Sequence, residues 1–556
     1  MKRIFQIAFL GIIGYLQAQN GALLDADLEE ALLLRMEIRS SGKFNMPVSL
    51  SALHYSDILC RLPKDSSHRR IPVDLGRHLR YFQDNYPEPD LQSSLPEKPV
   101  SGILGNFFRS GHFYNENGER FFFRINPLLE IKAGTDSKGS LVFTNRRGIH
   151  LHGGIGQRIR FYSALTETQT APGNQVSRYV NQNLGFPGAN FLKDFSSDWL
   201  KGKPAWDFLT AEGVVDYRAG EFLHFSLGHG RQKTGEGLRS LFLSDFSAPR
   251  FFLQMDARIS RFSYRSVWSE LNAETRYRNG TDRLLTKKYL AHHYFEAKLN
   301  SRWRLGIMES VIFARDQGFE WQYLNPVILL RSVEQGLGSP DNAFMGLSSS
   351  YILGANCKFY AQWLIDEFLF KRLTGKPGGW WGNKYGIQTG LNYTNLAGIP
   401  MLDLTLEYNM VRPFTYAYQD SIQNYTHAHQ ALAHPLGANF RELLLKLTYP
   451  LGKKWELDYN LMYFVKGTDP DDRNFGGNIL RDYRSRISDF GNTTGQGLRD
   501  EVLFQTFYLS YSIWHRTYLD LDLLWRKELH ANGSGQIWFM AGIRMNLDRQ
   551  NRRLFF

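Results

Sequence analysis

Four short constellations carry residue types that could do chemistry. Gly228-His229-Gly230-Arg231-Gln232-Lys233-Thr234 is built like a phosphate-cradling loop, with glycines ahead of a lysine and a threonine. Such a loop needs glycine directly before the lysine, where backbone must approach the phosphate, and Gln232 stands there instead. His427, His429 and His434 fall close together and could offer imidazole nitrogens to a metal. No cysteine is near them, and no carboxylate stands at ligand spacing. Asp469, Asp471, Asp472 and Asn474 could wrap calcium, but the glycine of the sharp turn and the closing glutamate are missing. Asp366-Glu367 and Glu407 offer the carboxylates of a glycosidase, yet adjacent residues in a strand point to opposite faces. No nucleophile elbow and no zinc-binding His-Glu-x-x-His occurs. The reading is a non-enzymatic protein with no cofactor and no metal.

The elements that must position these residues are strands. Beyond Val100 the apolar period is two. Trp455, Leu457, Tyr459, Leu461, Tyr463 and Val465 alternate with Glu456, Asp458, Asn460, Met462, Phe464 and Lys466. Leu402, Leu404, Leu406, Tyr408 and Met410 alternate with Asp403, Thr405, Glu407 and Asn409. Tyr385, Ile387, Leu391 and Tyr393 do so with Gly386, Gln388, Gly390 and Asn392. Leu519, Leu521, Leu523 and Trp525 enclose Asp520 and Asp522, and Ile537, Phe539, Ala541, Ile543, Met545 and Leu547 share one side. A strand of about ten residues with one apolar and one polar face is the unit of an outer-membrane barrel. A soluble sandwich or propeller also alternates. The length of these runs, the charges repeated on the second face and the terminal aromatic Phe556 favour the barrel. Residues 101–556 at about 25 residues per strand and connection give roughly 18 strands. The fold class is therefore all-β: a large antiparallel transmembrane β-barrel.

Composition agrees. The chain has 556 residues, with 40 Phe, 28 Tyr, 12 Trp and 50 Gly, a mixture suited to many strands, turns and aromatic girdles. Mean hydropathy is −0.37, and past the leader no apolar run reaches the length of a membrane-spanning helix. Two cysteines, Cys60 and Cys357, exclude a disulfide framework. Lys2 and Arg3 precede an apolar stretch, Ile4 to Leu16, and small Ala18 follows, which reads as a signal peptide over 1–18. Export denies the chain cytoplasmic nucleic acid, so the +10 that remains of its formal +12 once the leader's Lys2 and Arg3 are removed is expected to meet lipid headgroups, lipopolysaccharide or an acidic glycan.

Residues 19–100 read as a helical segment and a linker. Leu23, Leu24, Leu28, Ala31, Leu32 and Leu34 recur at helical spacing, with Asp25, Asp27, Glu29 and Glu30 in the early turns. Two further short helices are expected over 51–62 and 73–85. Pro87, Pro89, Pro96 and Pro99 then mark the linker. The segment looks like a small cap on a barrel, with Leu24, Leu28 and Leu32 as its packing face.

Several stretches also resemble a known family. Gly235-Glu236-Gly237-Leu238-Arg239-Ser240-Leu241-Phe242-Leu243-Ser244-Asp245-Phe246-Ser247-Ala248-Pro249 looks like the hallmark of the Wzi-type capsule-assembly family, and the RemB-like gliding-motility branch of the Bacteroidetes is the closer match. Ile365-Asp366-Glu367-Phe368 with Trp380-Trp381-Gly382-Asn383-Lys384-Tyr385-Gly386 resembles that branch too. So do Tyr323-Leu324-Asn325-Pro326, Arg412-Pro413-Phe414-Thr415-Tyr416, Asn424-Tyr425-Thr426-His427 and Leu432-Ala433-His434-Pro435-Leu436-Gly437-Ala438-Asn439-Phe440. The resemblance implies an 18-stranded barrel with a helical bundle at its periplasmic mouth, and a role in surface polysaccharide or gliding. It carries no glycan-contacting residue over.

Two sites are expected from the residues themselves. Arg239, Asp366, Lys384, Glu407 and Arg412 should form a charge network in the lumen, because desolvated charges need partners. Tyr416, Tyr425, His427 and His434 lie in a turn-rich loop expected to be exposed, where rings stack on sugars and His and Tyr supply hydrogen bonds. The alternative is that they pack the loop on the rim. The expected partners are outer-membrane lipid or lipopolysaccharide, surface polysaccharide, or gliding and secretion machinery. A porin or transporter needs an open lumen, and an outer-membrane hydrolase needs paired catalytic groups in one cleft.

Overall fold

The computed structural model describes residues 26–41 and 112–547, apart from residues 157, 279–282, 317, 328, 453, 515, 530–532 and 534. The signal peptide, the two later helices, the proline-rich linker and Phe556 lie outside the described residues. Eighteen strands, each paired antiparallel with its neighbours in chain order, close into one barrel. They are β1 (Phe121–Asp136), β2 (Leu141–Ile155), β3 (Ile159–Ala171), β4 (Trp206–Arg218), β5 (Leu223–Gly230), β6 (Arg250–Ile259), β7 (Phe262–Asn272), β8 (Lys287–Lys298), β9 (Trp303–Phe313), β10 (Asn342–Leu353), β11 (Cys357–Glu367), β12 (Lys384–Tyr393), β13 (Asp403–Val411), β14 (Phe440–Leu451), β15 (Trp455–Thr468), β16 (Leu498–Trp514), β17 (Thr517–Glu528) and β18 (Gly535–Met545). β18 returns to β1, with Ile543 opposite Ile131 and Met545 opposite Leu129, so neither strand is left as an edge.

The period-two pattern explains the wall. On β17 Asp520, Asp522 and Arg526 are buried inside while Leu519, Leu521 and Leu523 are exposed outside. Leu209, Val215, Leu227, Phe251, Ile307, Leu347 and Phe539 continue that exposed apolar band around the barrel. Water would leave this band unsatisfied, whereas hydrocarbon suits it.

The two ends differ. At one end the turns are tight, and Gly354 (φ +67°) and Gly452 (φ +69°) supply left-handed backbone there. At the other end the connections are long, notably 172–205, 231–249, 314–341, 412–439 and 469–497. Helix α1 (Ala26–Arg39) sits at the tight-turn end. Its Arg35 reaches Asp403 and, at 2.6 Å, Asn395. Arg39 reaches Asn356, and Ser41 donates to the Gly354 carbonyl at 3.4 Å. The helix is therefore tied to the β10–β11 and β12–β13 turns at this mouth. Leu33, Met36 and Ile38 are its buried apolar residues; Leu24 and the side chains of Leu28 and Leu32 lie outside the described residues.

Two long connections turn inward and fill the lumen. Leu241, Phe242, Leu243 and Phe246 of the 231–249 loop join Tyr416, Tyr425, Leu432 and Leu436 of the 412–439 loop. Their cluster includes wall residues Leu290, Phe344, Leu444, Phe504 and Trp538 from opposite sides of the barrel. A third connection carries α2 (Asn174–Asn183), whose Val176 and Val180 pack with Phe186, Trp206 and Phe208. Among the described residues these connections and the wall residues they meet occupy the middle of the interior.

Candidate functional site

The five residues expected as one lumen charge network separate into three arrangements. Lys384 Nζ lies 3.0 Å from Asp366 and 3.2 Å from Glu367. Both carboxylates reach one ammonium although they are sequence neighbours, against the alternation expected of a strand. A register shift between Ile365 and Glu367 is the reason: the extra residue Asp366 breaks the pleat, and a bulge re-aims side chains.

Glu407 is a hub for neutral donors. Its carboxylate accepts the Leu238 N–H at 2.8 Å, the Arg239 N–H at 3.2 Å, the Tyr360 hydroxyl at 2.7 Å and Asn409 Nδ2 at 2.9 Å. It grips the tip of the 231–249 loop by its backbone. Gly237 in that tip has φ +87°, and a Cβ there would strike the Glu407 carboxylate and come within 2.7 Å of the Tyr360 ring. Gly237, with Gly235 (φ +110°) two residues before it, is what lets the loop approach the wall. The Arg239 side chain lies 4.0 Å from Glu442.

Arg412 pairs with backbone carbonyls. Its Nε donates to Asn383 O at 2.8 Å, and its Nη2 lies 3.4 Å from Trp380 O and 3.3 Å from Asn492 O. Carbonyls at a turn are ready acceptors, so a guanidinium can staple two loops without a carboxylate. Here it joins 368–383 to 469–497.

The four loop residues expected at the surface are buried: Tyr416 1%, Tyr425 2%, His427 2% and His434 0% exposed. The loop turns inward because its apolar residues find the packed lumen. Tyr416 donates to the Leu241 carbonyl at 2.8 Å and its N–H meets Asp366 at 2.8 Å. Tyr425 stacks on Tyr416 with centroids 5.7 Å apart. His427 Nδ1 accepts the Asn272 N–H at 3.0 Å. His434 Nδ1 accepts the Leu436 N–H at 3.1 Å, so Nε2 carries the proton that meets Glu442 at 2.8 Å. Burial holds the His427 imidazole down to about 3 and pushes the Tyr425 hydroxyl up to about 12. His429 Nδ1 turns elsewhere, to Asn183 O at 2.9 Å, so the three histidines share no centre. Among the described residues no group of metal-ligating side chains converges. Asp469 of the calcium-like stretch accepts the N–H groups of Phe475 and Asn478, each at 2.8 Å.

Sequence reasoning missed two features. One is Lys358, buried in the lumen between Glu37 of α1 and Glu236 of the inward loop, each at 2.8 Å. The other is an aromatic patch at the long-loop mouth. Trp381 lies 4.8 Å from Tyr483 and 6.0 Å from Trp380, and the Arg486 guanidinium sits 4.1 Å over the Trp381 ring. These rings are half-buried. The doublet Trp380-Trp381 was the available signal.

No family model matches the chain, and no curated protein does. Among solved structures the chain is similar to Wzi of Escherichia coli, described as a carbohydrate-binding β-barrel of the outer membrane involved in group 1 capsule assembly. The TM-score is 0.56 at 12% identity, over 96% of this chain and 100% of that one. It also matches OprD of Pseudomonas aeruginosa, with TM-score 0.40, 11% identity and 76% and 94% coverage. The fold is shared with outer-membrane barrels.

Proposed function

We propose that this chain is a non-enzymatic outer-membrane barrel that holds or organises surface polysaccharide, as the Wzi-like and RemB-like resemblance implies, rather than a pore. The observation that carries this reading is the filled lumen. A porin needs a water-filled path, whereas here two inward loops and an apolar cluster occupy the interior. In this reading the signal peptide exports the chain, α1 closes the periplasmic mouth and the long loops face outward.

Tyr416, Tyr425, His427 and His434 then serve by holding the loops in place. Glycan contact passes to Trp380, Trp381 and Tyr483, whose half-buried rings are steadied by Arg486 and by the Arg412 staple. Aromatic faces suit the apolar faces of sugars. Capsule attachment and gliding are the two processes such a surface serves.

The test pairs two measurements on the full chain. Purified protein in a planar bilayer should show negligible conductance, and cells lacking it should lose surface polysaccharide or gliding. Steady large channels with unchanged polysaccharide and motility would favour a porin.

A further inference from the structure

We infer that the chain between β9 and β10 is an outer-leaflet lipid contact, which lies on the outside of the barrel wall and offers Trp321, Val327 and Leu329 to acyl chains. Unlike 231–249 and 412–439, this connection turns outward. The Trp268 indole on the outer face of β7 donates to Tyr323 O at 2.8 Å, and the Tyr264 hydroxyl donates to Pro326 O at 2.6 Å. Glu309, outward on β9, accepts the N–H groups of Leu330 at 2.7 Å and Arg331 at 2.5 Å. At the base, Asp341 takes Arg315 at 2.7 Å and the Tyr323 hydroxyl at 2.8 Å. Beneath the loop, Tyr323, Leu330 and Val333 pack on Trp268, Val311 and Phe313.

What the loop covers explains why it lies there. Ser266 stands opposite His293, and His293 opposite Glu309, so three adjacent strands present a polar row outward at one height. Bare against hydrocarbon such a row is expensive. The covering loop buries it and gives Glu309 two donors.

What the loop shows instead is apolar. Trp321 is 76%, Val327 89% and Leu329 70% exposed. They continue the apolar band of the same sector, where Phe295, Leu305, Ile307, Met345 and Leu347 face outward on β8, β9 and β10. The neighbouring cation Arg331 is already paired with Glu334 at 2.7 Å, which leaves acyl chains rather than headgroups as the occupant. Continuity with the lipid-facing wall selects lipid over a second protein copy.

The experiment uses the full chain in vesicles of phosphatidylethanolamine and phosphatidylglycerol. A nitroxide is placed by Val327→Cys in a Cys60→Ser, Cys357→Ser background, with labels at Leu347 and Asp471 as wall and aqueous references. The expected result is relaxation by oxygen like that at Leu347, and relaxation by a water-soluble nickel chelate several-fold below that at Asp471. Independently, lipid brominated on its acyl chains should quench wild-type emission more than that of Trp321→Phe. Nickel access matching Asp471, or quenching equal in both proteins, would overturn the proposal. So would exclusion of both relaxants together with a dimeric mass by light scattering.

Discussion

Lys358 on the inner wall holds Glu37 of the N-terminal helix at 2.8 Å, and the same ammonium holds Glu236 at the tip of a loop that descends from the opposite mouth. Arg304 reaches Glu37 as well, at 2.9 Å. Burial works against a charged Glu37, but Arg304 and Lys358 outweigh it and hold its carboxyl below the ordinary range. The cap and the inward loop therefore share one cation.

Lys358→Met should loosen both at once. Removing one partner of a buried charge set leaves the others uncompensated, at a cost of about 3–5 kcal/mol. The expected outcome is a lower urea midpoint and faster protease cleavage near α1. Lys358→Met combined with Glu37→Gln and Glu236→Gln should recover much of the loss. Equal instability of single and triple variants would show that packing, not charge, makes the contact.

Glu407→Ala tests the grip on the 231–249 loop. It removes the acceptor of two backbone N–H groups, of the Tyr360 hydroxyl and of one N–H of Asn409, whose amide keeps its bond to Glu442 at 2.9 Å, at about 1–3 kcal/mol for each donor left without an acceptor. Conductance in planar bilayers should rise from negligible to measurable as the loop leaves the lumen. Silent bilayers with an intact barrel would mean the apolar cluster alone keeps the loop seated.

The sequence made the wall legible because lipid and lumen impose opposite demands on alternate residues, as Leu519 to Trp525 show. Strand number followed from length. The direction taken by each long loop was not legible, because inward and outward loops share one composition. The 412–439 loop reads as an exposed tyrosine- and histidine-rich turn until the lumen is seen to need Tyr416 and Tyr425. Arg412 and Glu407 read from the sequence as ionic partners, because sequence does not show that backbone groups would satisfy them. Lys358 was invisible for a similar reason: its two carboxylates come from distant segments that only closure brings together.

The pH dependence has a definite sign. The His427 imidazole falls from 6.5 to about 3 through burial, with Arg250 and Lys288 acting in the same direction. Below 6.5 the unfolded chain takes a proton that the folded chain refuses, so stability falls as pH drops from about 6.5 to 3 and is unaffected by this group above. The slope reaches about 1.4 kcal/mol per pH unit for this one group. His427→Gln should remove that component, seen as a smaller acid shift in the urea midpoint than wild type. Superimposable acid profiles would show that His427 is reached by protons in the folded state.

The mouth aromatics give the test of binding. Trp381 is held with the Arg486 guanidinium over its face and the Tyr483 ring tilted against it, and its backbone N–H donates to Asp489 O at 2.9 Å. Its ring is thus fixed before any ligand arrives, which lowers the ordering cost of binding. Trp380→Ala with Trp381→Ala should reduce retention of surface polysaccharide about tenfold or more, since about 1.4 kcal/mol of lost stacking suffices for that factor. The barrel should still resist SDS until boiled, because neither ring belongs to the lumen cluster. Tyr416→Phe, which removes a hydroxyl bonded only within the protein, should lower stability slightly and leave retention unchanged. Loss of retention in Tyr416→Phe but not in the tryptophan variant would move the glycan site from the mouth into the lumen.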